Sequence, residues 1–301
     1  MKYLFPLVFI VISCSVLVGQ TTLEYRLAKD AVFTVKQNAE QIITQELDGA
    51  THELTNNING ILEFRVLAEQ DSTYQIALTF KDLNLLMTSS IQGELMNVKA
   101  KQINEDDMQS QIFNSLLNRP VQMVLAKTGD ILEVTGGDSL VVKMAEASGL
   151  EDEFSLNMMK KSLQKEFGSE ALSNSYKQMT YIYSPKQVKI GDHWTNEYEG
   201  KLNASNIWTL DALSQNHANI SGTADVTMNV TEAATTMKLS GNQQTQIITD
   251  LTTGFIQKMT VKGLSEGAST MAQMGDQEIP TAIQSTTTYE LIDDLNKPNN
   301  N

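Results

Sequence analysis

Two neighbouring stretches of alternating sequence decide the fold: L-E-F-R-V-L-A at residues 62–68 and Y-Q-I-A-L-T-F-K at residues 74–81. In both, apolar side chains recur at every second position, which is the period of a β-strand with one buried face. The polar residues 69–72 between them suit a reversing turn. The two stretches therefore predict an antiparallel hairpin.

Patterns on both sides of this hairpin predict further strands. Before it, residues 32–35 and 42–47 form two short apolar runs, the second closed by the turn-forming pair Asp48-Gly49. Because the alternation also continues beyond residue 81, strands are expected over residues 23–100. The period of two returns after residue 185, and strands are expected over residues 186–292.

The middle of the chain changes to helical spacing. Residues 105–180 are predicted to form a mostly helical block with a hairpin at 121–135. The acidic residues at 105–107 indicate a helix N-terminus, where carboxylates oppose the helix dipole. A calcium loop is less favoured, because it spreads its ligands over about 12 residues around a glycine. Asp138 or Ser139 is predicted to cap the second helix, and Ser169 the last one.

These patterns together predict an α+β fold. We expect a curved antiparallel sheet or incomplete β-barrel, with the mid-chain block of short helices packed on it. A single domain is expected over residues 21–296, followed by a disordered tail at 297–301.

One internal repeat stands out. Residues 128–135 and 253–260 share the pattern T-G-x-I-x-x-apolar-T. Duplication of a sheet half would produce such a pair, and coincidence or convergent hairpin chemistry would do so at least as readily, since turns of this kind are common.

Residues 1–20 have the plan of a secretory signal peptide, with one cation, an apolar run and small residues at the exit. The protein is therefore predicted to be exported, as a periplasmic, outer-membrane-associated or secreted protein. Residues 11–14 also resemble a lipobox, which would make Cys14 a lipidated first residue. Soluble export and a lipid anchor at Cys14 both stay open. Either way, no thiol is left for catalysis, since Cys14 is the one cysteine of the chain.

Composition and motifs argue against several classes of chemistry. A net charge of -14 opposes binding to the phosphate backbone of a nucleic acid. His52, His193 and His217 are too scattered for a metal motif, and there is no P-loop or dinucleotide fingerprint. Ser162, followed by Lys165, and Ser269 lack the motifs that accompany serine nucleophiles. We therefore assign no catalytic, cofactor-binding or metal residue and expect no cofactor.

Methionine is frequent, with 14 residues that include Met158, Met159, Met271 and Met274. Flexible thioethers fill irregular cores and also line adaptable apolar pockets. Core filling is the favoured interpretation, because the sequence alone places none of them at a cavity.

The order of these signals resembles an uncharacterised family of secreted or lipid-anchored Bacteroidota proteins, known only as a domain of unknown function. The best marker is K-x-G-D-x-W at residues 189–194. The resemblance implies an envelope location and supplies no catalytic residues. The predicted architecture is also similar, more loosely, to the open half-barrels of envelope lipoprotein carriers.

The leading functional hypothesis is a non-enzymatic cell-envelope protein that binds a lipid or other hydrophobic ligand. Its ligand-binding residues are not assigned, and membrane association is expected only through a lipid anchor. One alternative is an envelope scaffolding or protein-interaction module with a packed core. Another is a hydrolase that uses carboxylates carrying no recognisable motif.

Overall fold

The computed structural model describes residues 19–104, 106–231, 235–272, 275 and 277–292. These residues form twelve β-strands and four α-helices. The strands are β1 (Val32–Leu47), β2 (Ala50–Glu69), β3 (Thr73–Ser89), β4 (Gly93–Lys99), β5 (Pro120–Ala126), β6 (Ile131–Thr135), β7 (His193–Tyr198), β8 (Leu202–Leu213), β9 (His217–Thr231), β10 (Thr235–Asp250), β11 (Ile256–Met271) and β12 (Glu278–Ile292). The helices are α1 (Met108–Leu116), α2 (Gly137–Glu146), α3 (Glu153–Phe167) and α4 (Ser169–Thr180). The predicted tail, Cys14 and all but the last two residues of the predicted leader lie outside the described residues.

All strands belong to one antiparallel sheet with the order β6-β5-β3-β2-β1-β12-β11-β10-β9-β8-β7, and β4 pairs with β3 beside β5. The predicted hairpin is confirmed as β2 and β3, which pair up to Glu69 opposite Tyr74. The first and last strands are neighbours, because β1 pairs with β12 from Thr34 opposite Ile292 onward. The sheet is thus continuous from β6 to β7 and open at these two edges.

The two short strands predicted at 32–35 and 42–47 are wrong as separate elements, because they form the single strand β1. Its polar middle, residues 36–41, pairs with β2 on one side and with β12 on the other. Because both neighbouring strands, β2 and β12, hydrogen-bond to these residues, the strand continues where the apolar pattern is interrupted.

The sheet curls strongly, as predicted. Laid flat, its eleven-strand path would place β6 about 48 Å from β7. The helix α4 is about 18 Å long, yet it packs against both of these edge strands. The segment after α4 makes the same connection, since Tyr183 N donates to Thr128 O before β6 (3.3 Å) and Asn196 Nδ2 in β7 donates to Tyr181 O (2.6 Å). The two edges therefore approach each other over the concave face.

The predicted mid-chain helices cover this concave face. Asp107 caps α1 by accepting a hydrogen bond from Gln109 N, which confirms the acidic residues as a helix N-terminus. Buried side chains of α2, α3 and α4 share one core with the sheet. Tyr176 of α4, for example, lies edge-on to Phe64 of β2, with ring centroids 6.2 Å apart.

Two predicted helix caps are wrong. The N-cap of α2 is Gly136, in the left-handed region at φ 91°, and the N-cap of α4 is Gly168, with no side-chain hydrogen bond at either. Asp138 lies inside α2 and accepts hydrogen bonds from Gln164 Nε2 (2.6 Å) and Ser169 N (3.3 Å). Its carboxylate ties three helices together, because the start of α2 packs directly under the α3–α4 junction.

The N-terminal segment, residues 21–27, is not the strand expected from residue 23, although its apolar side chains are alternately buried. Instead of a neighbouring strand, two turns bind its backbone. Tyr25 N donates to Lys127 O (2.9 Å), and Arg26 N donates to Thr253 O (2.7 Å). These are the turns of the internal repeat, so both copies of the T-G pattern contact the same segment.

The glycines of the two turns permit this contact. Gly129 and Gly254 have φ values of 93° and 68°. A Cβ atom would lie 1.7 Å from Thr180 O at Gly129 and 2.0 Å from Glu24 O at Gly254. Only glycine allows the backbone to approach this closely with positive φ.

Candidate functional site

The concave face holds a cavity of about 570 Å³ at the end of the sheet beyond the helices. Seven strands and the C-terminal end of α3 contribute to its wall. The lining residues are Ala39, Glu40, Gln41, Ile43, Asn56, Asn57, Ile58, Leu85, Leu86, Met87, Met96, Glu166, Lys201, Met228, Val230, Met237, Ile283, Ser285 and Thr287. This wall is mostly apolar, which is typical of sites for small hydrophobic molecules.

Methionines divide between the core and this cavity. The core contains Met123, Met144, Met179 and Met259, as the favoured interpretation predicts. The cavity is lined by Met87, Met96, Met228 and Met237, which we call the methionine wall. Two of the methionines singled out in the sequence lie on α3, where Met158 is exposed and Met159 packs at the edge of the core. Met271 is the last residue of β11, and Met274 lies outside the described residues.

A line of cross-strand neighbours forms the inner end of the cavity. Asn56, Gln41, Ser285, Gly263 and Gln243 are consecutive partners on β2, β1, β12, β11 and β10. We call these five residues the polar row. Inward-facing positions of a curved sheet are normally apolar, so a polar row across five strands marks a change in what this part of the sheet contacts.

Several polar atoms of this region have no hydrogen-bond partner among the described residues. Asn56 Nδ2 donates to Gln41 Oε1 (3.2 Å), but Asn56 Oδ1 is buried without a hydrogen bond. Gln243 is only 9 % exposed, and within the described part of the chain its amide makes no hydrogen bond. Buried amides are normally paired, because an unpaired one loses its contacts with water without replacement.

The polar row opens into a second space of about 230 Å³, which we call the inner compartment. It shares Gln41, Met228, Ile283, Ser285 and Thr287 with the larger cavity, so the two spaces adjoin each other. The remaining lining residues are Gln178, Leu202, Gln243, Val261, Gly263, Ser265 and Tyr289. None of the described residues that line this compartment carries a charge.

Tyr289 closes the inner compartment on the side of the core. Its side chain is 6 % exposed, and within the described residues its hydroxyl makes no hydrogen bond. Burial raises the pKa of Tyr289 well above the ordinary value for a phenol. The hydroxyl therefore stays protonated at neutral pH and can both donate and accept a hydrogen bond.

Charged residues lie at the mouth of the cavity. Lys201, in the turn between β7 and β8, forms an ion pair with Glu166 of α3. Both side chains are exposed, so the pair contributes little to folding stability. It places opposite charges beside the entrance, and the exposed Glu40 of β1 is the third charged side chain in the cavity lining.

The motif residues singled out in the sequence do not converge on a site. His193 Nδ1 lies 2.8 Å from Thr209 Oγ1, while His52 and His217 lie on β2 and β9. Among the described residues, no group of three metal-binding side chains occurs, and no Asp or Glu is buried. Ser269 is buried in a hydrogen bond with Thr281, 2.8 Å away.

The K-x-G-D-x-W segment has a structural role. Gly191 turns the chain at φ 88°, and Asp192 Oδ2 accepts a hydrogen bond from Lys189 N (3.1 Å). Trp194 then donates from Nε1 to Ile182 O (3.1 Å). The predicted strand before this turn is only a single bridge between Val188 and Thr21. The marker thus ties β7 to the segment after α4.

The model of a protein family described as a family of unknown function (DUF6263) matches residues 71–256, more than half of the chain. The chain belongs to this family. The family resemblance found in the sequence is thereby confirmed. The DUF6263 match runs from the β2–β3 turn to the start of β11 and includes the methionine wall and Gln243.

Other comparisons add little to the DUF6263 assignment. No curated protein matches the chain. A structure of lipid-protein interactions in lipovitellin is similar at 11% identity and TM-score 0.47, over 89% of this chain and 25% of that one. The COG4313 outer membrane channel from Pseudomonas putida F1 is similar at 8% identity and TM-score 0.29, over 89% of this chain and 97% of that one. DynF from the dynemicin biosynthesis pathway of Micromonospora chersina is similar at 6% identity and TM-score 0.24, over 91% of this chain and 85% of that one.

The chain spans about a quarter of the lipovitellin chain. All three likenesses are too weak to carry an argument about a ligand. In the described part of this DUF6263 protein, no helix is long and apolar enough to cross a membrane.

Proposed function

We propose that this protein is a non-enzymatic cell-envelope protein that binds a lipid or other hydrophobic molecule. The observation that supports the proposal is the cavity of about 570 Å³ behind the methionine wall. Its volume lies within the range of small-molecule sites, roughly 300–1,000 Å³. Its flexible side chains can adapt to a chain-like ligand.

The sheet and helices explain why this space is present. The helices fill the concave face at one end, where aromatic and aliphatic side chains form the core. At the other end the same sheet extends past the described helices, of which only the C-terminal end of α3 reaches the cavity, and its inward side chains keep the apolar character of a core. Apolar side chains facing an unfilled space gain free energy when an apolar ligand removes them from water.

Ligand binding can be tested directly. Native mass spectrometry after gentle purification is expected to show a ligand-bound mass, or a gain of mass with added lipid. The fluorescence of N-phenyl-1-naphthylamine, an uncharged apolar probe, is expected to rise on binding. A clean apo mass together with no probe binding would contradict the proposal.

A paired substitution locates the site. Replacing Met228 and Met237 by Gln makes the methionine wall polar, and each fully buried Met is worth about 1.5–3 kcal/mol. The affinity for the probe should therefore fall by about tenfold or more. Met158→Gln is the matched control, because Met158 is 52 % exposed on α3, away from the cavity. Equal loss in the control would contradict the assignment.

The envelope location is part of the proposal and rests on the leader at residues 1–20. The intact mass of the protein from its native cells decides between the two export routes. Soluble export gives an unmodified N-terminus after the apolar run, whereas a lipid anchor adds acyl mass at Cys14 that Cys14→Ser abolishes.

A protein-interaction role is a second candidate, and one surface favours it. Phe154 is 74 % exposed and Met158 lies one turn later on the same face of α3. Exposed large apolar side chains that adjoin each other are typical of contact surfaces. Cross-linking in intact cells, with Phe154→Ser as the comparison, tests this candidate: a partner lost in the variant supports it.

A further inference from the structure

We propose that the ligand is a neutral amphiphile, bound with its uncharged polar head in the inner compartment and its apolar tail along the methionine wall. The inference rests on the proposed function and adds the chemical class and the orientation of the ligand. Hydroxyl, ester and amide heads meet the description, whereas phosphate, carboxylate and ammonium heads do not.

The first argument is charge. The described residues that line the inner compartment are all uncharged. An ionised head placed there would lose its hydration without a counter-charge, and this loss is far more costly than that of a neutral polar group. The charged residues that line the larger cavity are Lys201, Glu166 and Glu40; all three are exposed, and Lys201 and Glu166 pair with each other.

The second argument is unmet hydrogen-bonding capacity. Gln243 and Tyr289 are more than nine-tenths buried, line the compartment and have no hydrogen bond within the described residues. Asn56 Oδ1, at the other end of the polar row, is also unpaired. A glutamine amide and a phenol both donate and accept. A head that combines donor and acceptor atoms, such as a glycerol hydroxyl, satisfies both types of group.

The third argument is space for the head. Gly263 lies between Ser285 and Gln243 in the polar row. A Cβ atom at Gly263 would lie only 2.9 Å from Ser285 Oγ and 3.1 Å from Gln243 Cγ. The glycine therefore keeps these two polar groups accessible at the centre of the row.

The orientation follows from the relative positions of the two adjoining spaces. From Gln243 to Met237 the inward face of β10 extends six residues, or about 20 Å, in the direction of the larger cavity. This length suits an extended acyl chain. A tail-first orientation would instead place methylene groups on the unpaired amides and leave the head beside the methionine wall.

Matched ligands test the head-group rule. Displacement of N-phenyl-1-naphthylamine is measured with monopalmitoylglycerol, palmitate and hexadecyltrimethylammonium, which share a tail length and differ in head charge. At about pH 8, where palmitate is ionised, the neutral ligand should compete at an about tenfold lower concentration than either ion. Equal or better competition by palmitate or the cation overturns the inference. Failure of the probe itself to bind would instead contradict the proposed function.

Neighbouring glutamines provide a variant and its control. Gln243→Leu removes the amide from the inner compartment, whereas Gln244→Leu changes the exposed face of the same strand. The first should weaken the binding of monopalmitoylglycerol about tenfold, and the second should leave it unchanged. Ser285→Ala, a smaller change in the same row, should weaken the neutral ligand in the same direction. If Gln243→Leu and Ser285→Ala both bind monopalmitoylglycerol like the wild type, the inner compartment holds only water and the inference is wrong.

Discussion

Replacing Tyr25 should reveal how much stability the N-terminal segment contributes. Tyr25 is 1 % exposed, and its ring lies edge-on to those of Tyr183 and Phe255 at centroid distances of 5.3 and 6.1 Å. Removing a buried aromatic ring typically costs about 3–5 kcal/mol, so Tyr25→Ala is predicted to lower the free energy of unfolding by that amount.

Tyr25→Phe separates packing from hydrogen bonding. The Tyr25 hydroxyl donates to Thr180 O (3.2 Å), which also accepts from Ile182 N (3.0 Å). Because this carbonyl keeps one partner, loss of the hydroxyl should cost about 1 kcal/mol or less.

Urea unfolding followed by tryptophan fluorescence measures both variants, since Trp194 donates to the carbonyl of Ile182, two residues beyond Thr180. The control is Tyr181→Phe, where the ring is only partly buried, and a change within about 0.5 kcal/mol is expected. The reasoning is refuted if Tyr25→Ala stays within about 1 kcal/mol of the wild type, or if Tyr25→Phe costs as much as Tyr25→Ala.

Three further predictions concern single residues. In urea titrations, Gly254→Ala should lower the free energy of unfolding by several kcal/mol, because the new Cβ atom would lie 2.0 Å from a backbone carbonyl oxygen. Gly275 has the same φ of 68° but open space around it, so Gly275→Ala should cost only about 1 kcal/mol. Burial raises the pKa of Tyr198 to about 12. The contribution of Tyr198 to the free energy of unfolding is therefore intact below about pH 10 and decreases by about 1.4 kcal/mol per pH unit from there to pH 12. In alkaline titrations, the free energy of unfolding of Tyr198→Phe should fall less steeply. Asp107→Ala removes the N-terminal cap of α1 and should lower the free energy of unfolding, measured by calorimetry, by about 1 kcal/mol. Asp106→Ala should lower it much less, because the carboxylate of Asp106 does not cap the helix. Equal losses in the two variants would contradict the capping role of Asp107.

Local patterns were sufficient to predict much of the fold. The β2–β3 hairpin is specified by alternation within twenty residues of sequence, and α1 by an acidic start and apolar residues at helical spacing. The caps of α2 and α4 were mispredicted because glycines, which lack a capping side chain, occupy both positions where the helices pack closely. Sequence-based reasoning about caps works only where the cap is made by the nearest polar side chain.

The candidate site was much less predictable. The polar row brings together Gln41, Gln243 and Ser285, whose contact depends on the register of four strands. Each of these residues looks like ordinary polar variation in a strand. The one signal in the sequence is the spacing of Gln243 from apolar residues. It lies an even number of positions from Leu239 and Ile247, and therefore on the same face of β10 as these buried side chains. Recognising it requires knowing which face of the strand is inside.

The position of the N-terminal segment constrains when folding can finish. Arg26 bonds to the backbone at Thr253, and Thr34 lies opposite Ile292. These two partners are made only when nearly all of the described chain has been synthesised, whereas β1 can pair with β2, and Tyr25 with Lys127, well before that. Such long-range pairing is slow to form, because the loops that it closes are long. The sheet can therefore be completed only after β12, its last strand in the chain, has been synthesised.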